Sequence, residues 1–180
     1  MELIDAEWIG GFAVLYCGFR IFWHFHQNGN GRGALRKAAR LGDYDSAQSL
    51  LNQGVNPDCD NLGEPPLYVA SKFGNLDIAG LLLEKGASVN GRRTSRNTPL
   101  NPLYIAVNNN KIELVRLLLE NGCDVNFQGG DISCPFAIDL ACYKNYFEIV
   151  ELLMSKTPAR MCNDTRQRIY EYYQSKEPKS

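Results

Sequence analysis

Two histidines and one cysteine are the residues of this sequence that come nearest to a metal site. His24 and His26 are two positions apart, and Cys17 lies seven residues before His24. A structural zinc ion takes four ligands with characteristic pair spacing, and an isolated H-x-H offers only two. The six cysteines contain no C-x-x-C pair that could supply the others. We therefore predict no metal site, and we interpret the two histidines as the edge of an apolar segment.

Three alternating glycines, Gly29, Gly31 and Gly33, could in principle form a phosphate-binding loop. Such a loop requires a Lys followed by Ser or Thr, and a strand before the glycines, and neither is evident here. A Ser-His-Asp triad cannot be drawn either, because both histidines lie outside the repeated part of the chain. The sequence thus predicts no catalytic residue and no cofactor, and a protein that is not an enzyme. The glycine-rich stretch, residues 28–33, is interpreted as a flexible linker.

Composition describes an ordinary folded chain of 180 residues with 19 basic and 20 acidic residues, a formal net charge of −1. This balance gives no general attraction for nucleic acid, so no nucleic-acid partner is expected. An even number of cysteines is compatible with disulfides in a secreted chain. Cys123 and Cys142, however, stand where Ala or Val would serve equally in a helix. We therefore predict buried, reduced thiols in a cytoplasmic protein, with a nuclear location left open.

A sequence unit recurs along the chain with a period near 33 residues. Its most regular part is a leucine run, and successive copies are separated by 32 residues (Leu51 to Leu83), 36 residues (Leu83 to Leu119) and 35 residues (Leu119 to Met154). The openings also match: PLYVA at 66–70 corresponds to PLYIA at 102–106, with weaker versions at 35–39 and 138–142. Repetition at such a period is typical of a solenoid of stacked units.

Each unit contains the signals of a pair of helices. A proline at the first helical position, Pro66 or Pro102, loses no hydrogen bond, and Asn101 can cap the second of these helices. Gly86 and Gly122 follow the leucine runs, where a left-handed helix end is favoured. The apolar stripes of the second helices are Ile78, Leu81 and Leu82, and Leu114, Leu117 and Leu118.

This pattern (P-L-x-x-A, then G-N, then L-L-L-x-x-G) resembles the ankyrin repeat over residues 34–157. The resemblance implies an all-α solenoid of stacked helix pairs with short β-hairpin fingers. We place repeats at about 34–57, 58–90, 91–126 and 127–157, after an N-terminal arm and linker (1–33) and before a C-terminal capping tail (158–180). The family's Thr-Pro-x-His opening is absent: Pro65 replaces the Thr, and Tyr68 and Tyr104 replace the His. Residues 91–101 are expected to form a lengthened finger.

The resemblance also implies a surface for partners, because ankyrin repeats line a concave face with their first helices and fingers. Seven of the fifteen residues carried over to that face are Lys or Arg and none is acidic, whereas the second helices carry several acids, including Asp77, Glu113 and Glu148. We therefore expect a partner protein, with an acidic segment and hydrophobic anchors as a specific form of it. The fifteen predicted residues are Lys37, Arg40, Leu41, Val69, Lys72, Phe73, Arg92, Arg93, Arg96, Ile105, Asn108, Asn109, Leu140, Tyr143 and Lys144.

The expected function is a non-catalytic protein–protein interaction module acting as a cytosolic adaptor or regulator. Two alternatives stay open. One is a membrane-associated ankyrin protein anchored through the apolar run from Trp8 to Trp23, which has 16 residues, contains Arg20, and could instead pack on the first repeat or pair with another chain. The other is a substrate-recruiting subunit of a ubiquitin ligase. The tail lacks the matching leucine and cysteine pattern, and we favour a closing helix that covers the last repeat with Ile169, Tyr170 and Tyr173.

Overall fold

The computed structural model describes residues 31–59, 64–93, 99–128, 136–156 and 160–176. Within these ranges the chain forms nine helices and one pair of short strands. The elements are α1 (31–41), α2 (Tyr44–Asn52), α3 (Pro66–Phe73), α4 (Leu76–Glu84), β1 (Arg92–Arg93), β2 (Pro99–Leu100), α5 (Pro102–Asn108), α6 (Ile112–Glu120), α7 (Ala137–Tyr143), α8 (Phe147–Met154) and α9 (Asn163–Lys176).

Prolines and glycines set the helix ends where the sequence predicts them. Helix α3 begins at Pro66 and α5 at Pro102, and the Asn101 side chain accepts a hydrogen bond from the Tyr104 backbone N–H at 3.0 Å. Gly86 and Gly122 have φ angles of 87° and 77°, in the left-handed region that closes the second helices. These predicted starts and ends are confirmed.

The helices form two layers with the core between them. In the first-helix layer α3 packs on α5, α5 on α7 and α7 on α9, and in the second-helix layer α2 packs on α4, α4 on α6 and α6 on α8. The second helices α4, α6 and α8 also pack on the first helices that precede them, α3, α5 and α7. Fully buried leucines, including Leu67, Leu82, Leu103 and Leu118, fill the space between the layers. This is the predicted all-α solenoid of stacked helix pairs.

A two-stranded antiparallel hairpin precedes α5, inside the predicted long finger. Arg92 pairs with Leu100 and Arg93 with Pro99. Gly91 is required where this hairpin begins, because its φ is 66° and a Cβ there would collide with the carbonyl oxygen of Leu100. The turn of the hairpin, residues 94–98, lies outside the described residues.

Side chains in the finger segments connect each finger segment to the one that follows the next helix pair. Asp58, Asn90 and Asn126 each lie four residues after the glycine that ends a second helix. Their side-chain oxygens accept backbone N–H bonds from Ser88 at 2.9 Å, from Asp124 at 2.6 Å and from Arg160 at 2.6 Å. Since the last donor belongs to the segment before α9, this segment stands where a further repeat would continue the series.

Helix α9 is held on α7 by a buried carboxylate. Asp139 is 2% exposed, and its Oδ1 accepts bonds from Thr165 Oγ1 at 2.6 Å and from the Cys162 backbone N–H at 2.9 Å. Its Oδ2 accepts a longer bond from the Phe136 backbone N–H, at 3.4 Å. The C-terminal helix is therefore attached by charge-assisted hydrogen bonds as well as by apolar contact.

The residues that cover the last unit differ in part from those expected. Ile169 is buried in the core, as predicted, but Tyr170 and Tyr173 are exposed. The aromatic contact is made instead by Tyr172, whose ring stacks on that of Phe147 with centroids 3.7 Å apart. Tyr172 lies three residues after Ile169 and Tyr173 lies four residues after it, so the helical period places both near the same face of α9 and does not by itself choose between them.

The N-terminal end of the described chain corrects the linker prediction in part. Residues 31–33 belong to α1 and are not a linker. Gly31 is buried, and a Cβ at this position would lie 2.8 Å from Cγ2 of Val55, so glycine is needed there for close packing. The apolar run, Cys17, His24 and His26 lie outside the described residues. None of the helices within the described ranges is long and apolar enough to span a membrane.

Candidate partner-binding face

The first helices α1, α3, α5 and α7, with the residues that end them, carry twelve of the fifteen predicted contact residues. The solvent-facing side of these helices is called here the first-helix face. It includes a groove of about 490 Å³ between α1 and α3, called here the α1–α3 groove. Five predicted residues line it, together with Arg36 and Glu64, which were not predicted; the five are Lys37, Arg40, Val69, Lys72 and Phe73.

One end of this groove combines apolar and cationic groups. The guanidinium carbon of Arg40 lies 5.6 Å from the ring centroid of Phe73, close enough for a cation–π contact. The Phe73 side chain is nevertheless 46% exposed, and Leu41 next to Arg40 is 68% exposed. A large exposed aromatic side chain and a cation thus stand together in solvent, which is the composition of a partner-binding patch.

The other end of the groove contains an ion pair that the sequence did not indicate. Lys72 Nζ lies 2.7 Å from Glu64 Oε1, and this hydrogen bond raises the pKa of Lys72. Burial raises the pKa of the neighbouring Tyr68 hydroxyl, and Lys72 Nζ lies 5.9 Å from the centre of that ring. The first-helix face therefore includes an acid, and the charge of Lys72 is balanced. Glu64 was missed because it lies in the finger before α3, and helical spacing does not place a loop residue.

Val69 and Leu140 are buried and cannot offer the side-chain surface that their predicted role requires. Val69 is 2% exposed and Leu140 is 6% exposed. Both belong to helices that are flanked within the first-helix layer, where α3 packs on α5 and α7 packs on both α5 and α9. Their helix positions are therefore covered by neighbouring helices, while Lys37 of α1 remains exposed at the corresponding position.

Two predicted residues of the later units bond to the preceding first helix. Asn109 Nδ2 donates to the backbone oxygen of Lys72 at 2.9 Å, and Lys144 Nζ donates to the backbone oxygen of Asn108 at 2.9 Å. Such bonds satisfy carbonyl groups that have no partner within their own helix. These side chains thus contribute to the stacking of the units, and Lys144 is only partly exposed.

Near the C-terminus the first-helix face includes a second aromatic and cationic pair. Tyr143 is 66% exposed, and the guanidinium carbon of Arg168 lies 5.9 Å from its ring centroid. Arg168 comes from α9, outside the repeats, so the repeat pattern could not assign it to this face. Ile105 of α5 is partly buried between these two ends.

The finger contributes Arg92 and Arg93 to β1, and Arg96 lies outside the described residues. The backbone pairing shows only that the first two arginines belong to the hairpin. Whether any of the three contacts a partner stays a prediction.

The thiols of the described repeats are poor nucleophiles. Burial raises the pKa of Cys59 and Cys142, and it raises the pKa of Cys123 to about 12. Because the thiolate is the reactive form, these three groups remain protonated and unreactive at neutral pH. Their place in the structure is that of small apolar residues, as the sequence predicts for Cys123 and Cys142.

Comparison with known proteins agrees with this architecture. A family model for ankyrin repeats, comprising three copies, matches residues 12–93 and 91–165. An ankyrin repeat protein of Rickettsia felis is 46% identical over 69 residues, which are 37% of this chain and 30% of that protein. The potassium channel KOR2 of Oryza sativa subsp. japonica is 34% identical over 70 residues, which are 38% of this chain and 10% of the channel.

The chain covers less than a third of the length of either relative. The family match also begins at residue 12, upstream of residue 34, where the predicted repeats begin. Ankyrin repeats are generally protein–protein interaction modules and are typically non-catalytic. With two layers of stacked helices, a β-hairpin finger and family matches over most of its length, this chain belongs to the ankyrin-repeat family.

Proposed function

We propose that this chain acts in the cytosol as an adaptor or regulator that binds an acidic, hydrophobically anchored segment of another protein on its first-helix face. The observation that carries this proposal is the α1–α3 groove. There Phe73 is exposed beside the cations of Arg40 and Lys37. Leu41, the last residue of α1 and the sequence neighbour of Arg40, is exposed as well, outside the groove.

Charge supports an acidic partner at this place. Within the described ranges neither Lys37 nor Arg40 has a carboxylate partner, whereas Lys72 is paired with Glu64. An incoming Asp or Glu would therefore meet cations that are not already engaged with an acid. Such pairs steer association and select the partner more than they add affinity.

Apolar contact would supply most of the binding free energy. Complete burial of a Leu or Phe side chain is worth about 1.5–3 kcal/mol. Phe73 is already about half buried, so covering the remainder contributes roughly 1 kcal/mol, and Leu41 contributes somewhat more because it is more exposed. These two side chains are therefore the expected hot spots.

Charge reversal in the groove tests the proposal. Proximity labelling or affinity purification with quantitative mass spectrometry would compare the wild-type chain with the variant Lys37→Glu/Arg40→Glu and with Phe73→Ala. A matched control, Lys85→Glu/Lys156→Glu, makes the same change of charge at exposed residues outside the groove. We expect both groove variants to lose the same subset of partners and the control to retain it. Identical recovery for all three variants contradicts the proposal.

The finger requires its own variant. Arg92, Arg93 and Arg96 changed together to Glu test whether the long hairpin takes part in binding. Unchanged recovery of the groove-dependent partners would remove the finger from the binding site and leave the groove in place.

The membrane-associated alternative depends on the apolar run from Trp8 to Trp23. The family match begins inside this run, so part of the run is itself similar to ankyrin-repeat sequence, which supports the cytosolic form. Replacing Val14 and Leu15 with Asp should leave the protein in the same subcellular fraction as the wild type. A shift from the membrane fraction to the soluble fraction on this change would favour the anchored form instead.

A further inference from the structure

A second groove lies in the other layer of the molecule, between α4 and α6. It has a volume of about 590 Å³ and is called here the α4–α6 groove. Leu117 contributes apolar surface to it together with the backbone of Gly80, and Leu76 and Tyr44, both 39% exposed, add more. Leu81 lies at the base of the groove and is only 4% exposed. The groove thus presents apolar surface to solvent on a face that the proposed function does not use.

Two rows of carboxylates border this groove. Asp77 and Glu84 belong to α4, and Glu113 and Glu120 belong to α6. In each row the two acids are seven residues apart, which is two helical turns and about 10.5 Å along the axis. One cation, Arg116, also lines the groove, so four acids and one base give 1 − 4 = −3 in formal charge.

The charge inside the groove is weakly compensated. Arg116 Nε lies 3.7 Å from Glu113 Oε2, and both side chains are about half exposed or more. A pair at this distance and exposure contributes about 0–1 kcal/mol. An incoming cation could therefore displace Arg116 from Glu113 at little cost.

Gly80 is the feature that distinguishes this groove from the rest of the second-helix layer. A glycine inside a helix costs about 1 kcal/mol relative to alanine. The fold does not demand it, because a Cβ at Gly80 would have no neighbouring atom within 4 Å. At the corresponding position α2 has Gln48 and α6 has Arg116. The missing side chain leaves the apolar surface of the groove uncovered at its centre.

We propose that the α4–α6 groove docks a basic amphipathic helix of a partner protein. One apolar side chain of that helix lies over Gly80, between Leu81 and Leu117. Lys or Arg residues two turns apart on the same helix face the carboxylates of the two rows. The negative charge excludes nucleic acid and anionic membrane surfaces from this groove and selects a cationic protein segment. The groove and the first-helix face would thus bind two partners of opposite charge.

A synthetic peptide tests the groove directly on the full chain. The probe is a fluorescein-labelled, alanine-based peptide of about 15 residues, a length at which helices become measurable in water. It carries a central leucine flanked by two pairs of arginines with seven-residue spacing, and a control peptide has Glu in place of each Arg. Fluorescence anisotropy should show saturable binding of the arginine peptide and none of the glutamate peptide.

Two variants separate groove binding from general attraction to an acidic surface. Gly80→Gln places in the groove the side chain that α2 has at the same position. It should weaken binding about tenfold or more, as when a central anchor site is blocked, while thermal stability stays equal or rises. Glu84→Lys/Glu120→Lys should weaken binding by a similar factor. The matched control Glu148→Lys/Glu171→Lys makes the same change of charge at exposed acids outside the groove and should leave the affinity within about twofold.

Three results would overturn the proposal. These are no saturable binding of the arginine peptide, equal binding of both peptides, and an affinity for the Gly80→Gln variant that equals that of the wild-type chain. Because Gly80 is uncharged, the last of these would show that the peptide senses only the overall acidity of this face.

Discussion

Replacing Thr165 with valine should loosen α9 from the solenoid while the rest of the protein keeps its fold. The Thr165 hydroxyl is buried and donates to Oδ1 of Asp139 at 2.6 Å. Valine preserves the shape and the β-branch, and its helix propensity is close to that of threonine, so the change removes one hydrogen bond and little else.

The size of the effect follows from the partners of Asp139. A hydrogen bond to an ionised group contributes about 1.5–3 kcal/mol. The lower part of this range applies here, because Oδ1 keeps its bond from the Cys162 backbone N–H at 2.9 Å and is not left without a donor. We therefore expect α9 to lose about 1.5–2 kcal/mol of stability toward local opening, which corresponds to roughly a 10- to 30-fold larger opening constant.

Hydrogen exchange read by mass spectrometry can measure this change within one molecule. Peptides from α9 should exchange faster by that factor, while peptides from α5 and α6 keep their wild-type rates, because repeats interact mainly with their nearest neighbours. Thr165→Ser is the matched control, since it keeps the hydroxyl and removes only the methyl group.

The outcome that refutes this reasoning is specific. If α9 exchanges at the wild-type rate in the valine variant, the bond between Thr165 and Asp139 contributes nothing measurable. If α9 exchanges as fast in the Thr165→Ser variant as in the Thr165→Val variant, the contact of the Thr165 methyl group holds the helix, and the hydrogen bond does not.

Three further predictions concern stability and reactivity. Asn101→Ala should lower the free energy of unfolding by about 1–2 kcal/mol, because the buried amide caps α5 at the Tyr104 N–H, and urea unfolding against Asn101→Asp would detect it. The hydrogen bonds from Ser46 hold the pKa of the Asp43 carboxyl below its usual value of 3.8. The ionised Asp43 cap therefore stabilises the fold fully above pH 3.8, and this stabilisation is lost as the pH falls through the lowered pKa of Asp43. The gap in melting temperature between wild type and Asp43→Ala should therefore narrow below about pH 4, and a constant gap would contradict this. Cys123, with a pKa of about 12, should be alkylated by iodoacetamide at pH 8 far more slowly in the native chain than in urea, as mass spectrometry can show.

The helices that the sequence predicted best are those with local signals. Pro66 and Pro102 mark helix starts because a proline ring fits the first turn, and Gly86 and Gly122 mark ends because they adopt positive φ. Such signals depend on one residue and its immediate neighbours. They could be read from the chain without knowledge of how the units stack.

The misplaced features depend on contacts between distant residues. Val69 was assigned to the surface by analogy, but its exposure depends on the helices that flank it. Asp139 has an unremarkable place in the sequence, and its bonds come from residues 23 and 26 positions later. Glu64 reaches Lys72 through a finger segment whose path no periodic pattern describes. The candidate face was therefore predicted in outline, and its charge balance and buried positions were not.

The series of bonds from Asp58, Asn90 and Asn126 has a direction. Every acceptor belongs to an earlier finger segment, and every donor is a backbone N–H of the segment that follows the next helix pair, which any residue except proline can supply. During synthesis the amino-terminal units emerge from the ribosome first, so each newly made segment meets an acceptor that is already in place. The chain can in this way assemble in the order in which it is translated, with α9 arriving after the repeats on which it packs.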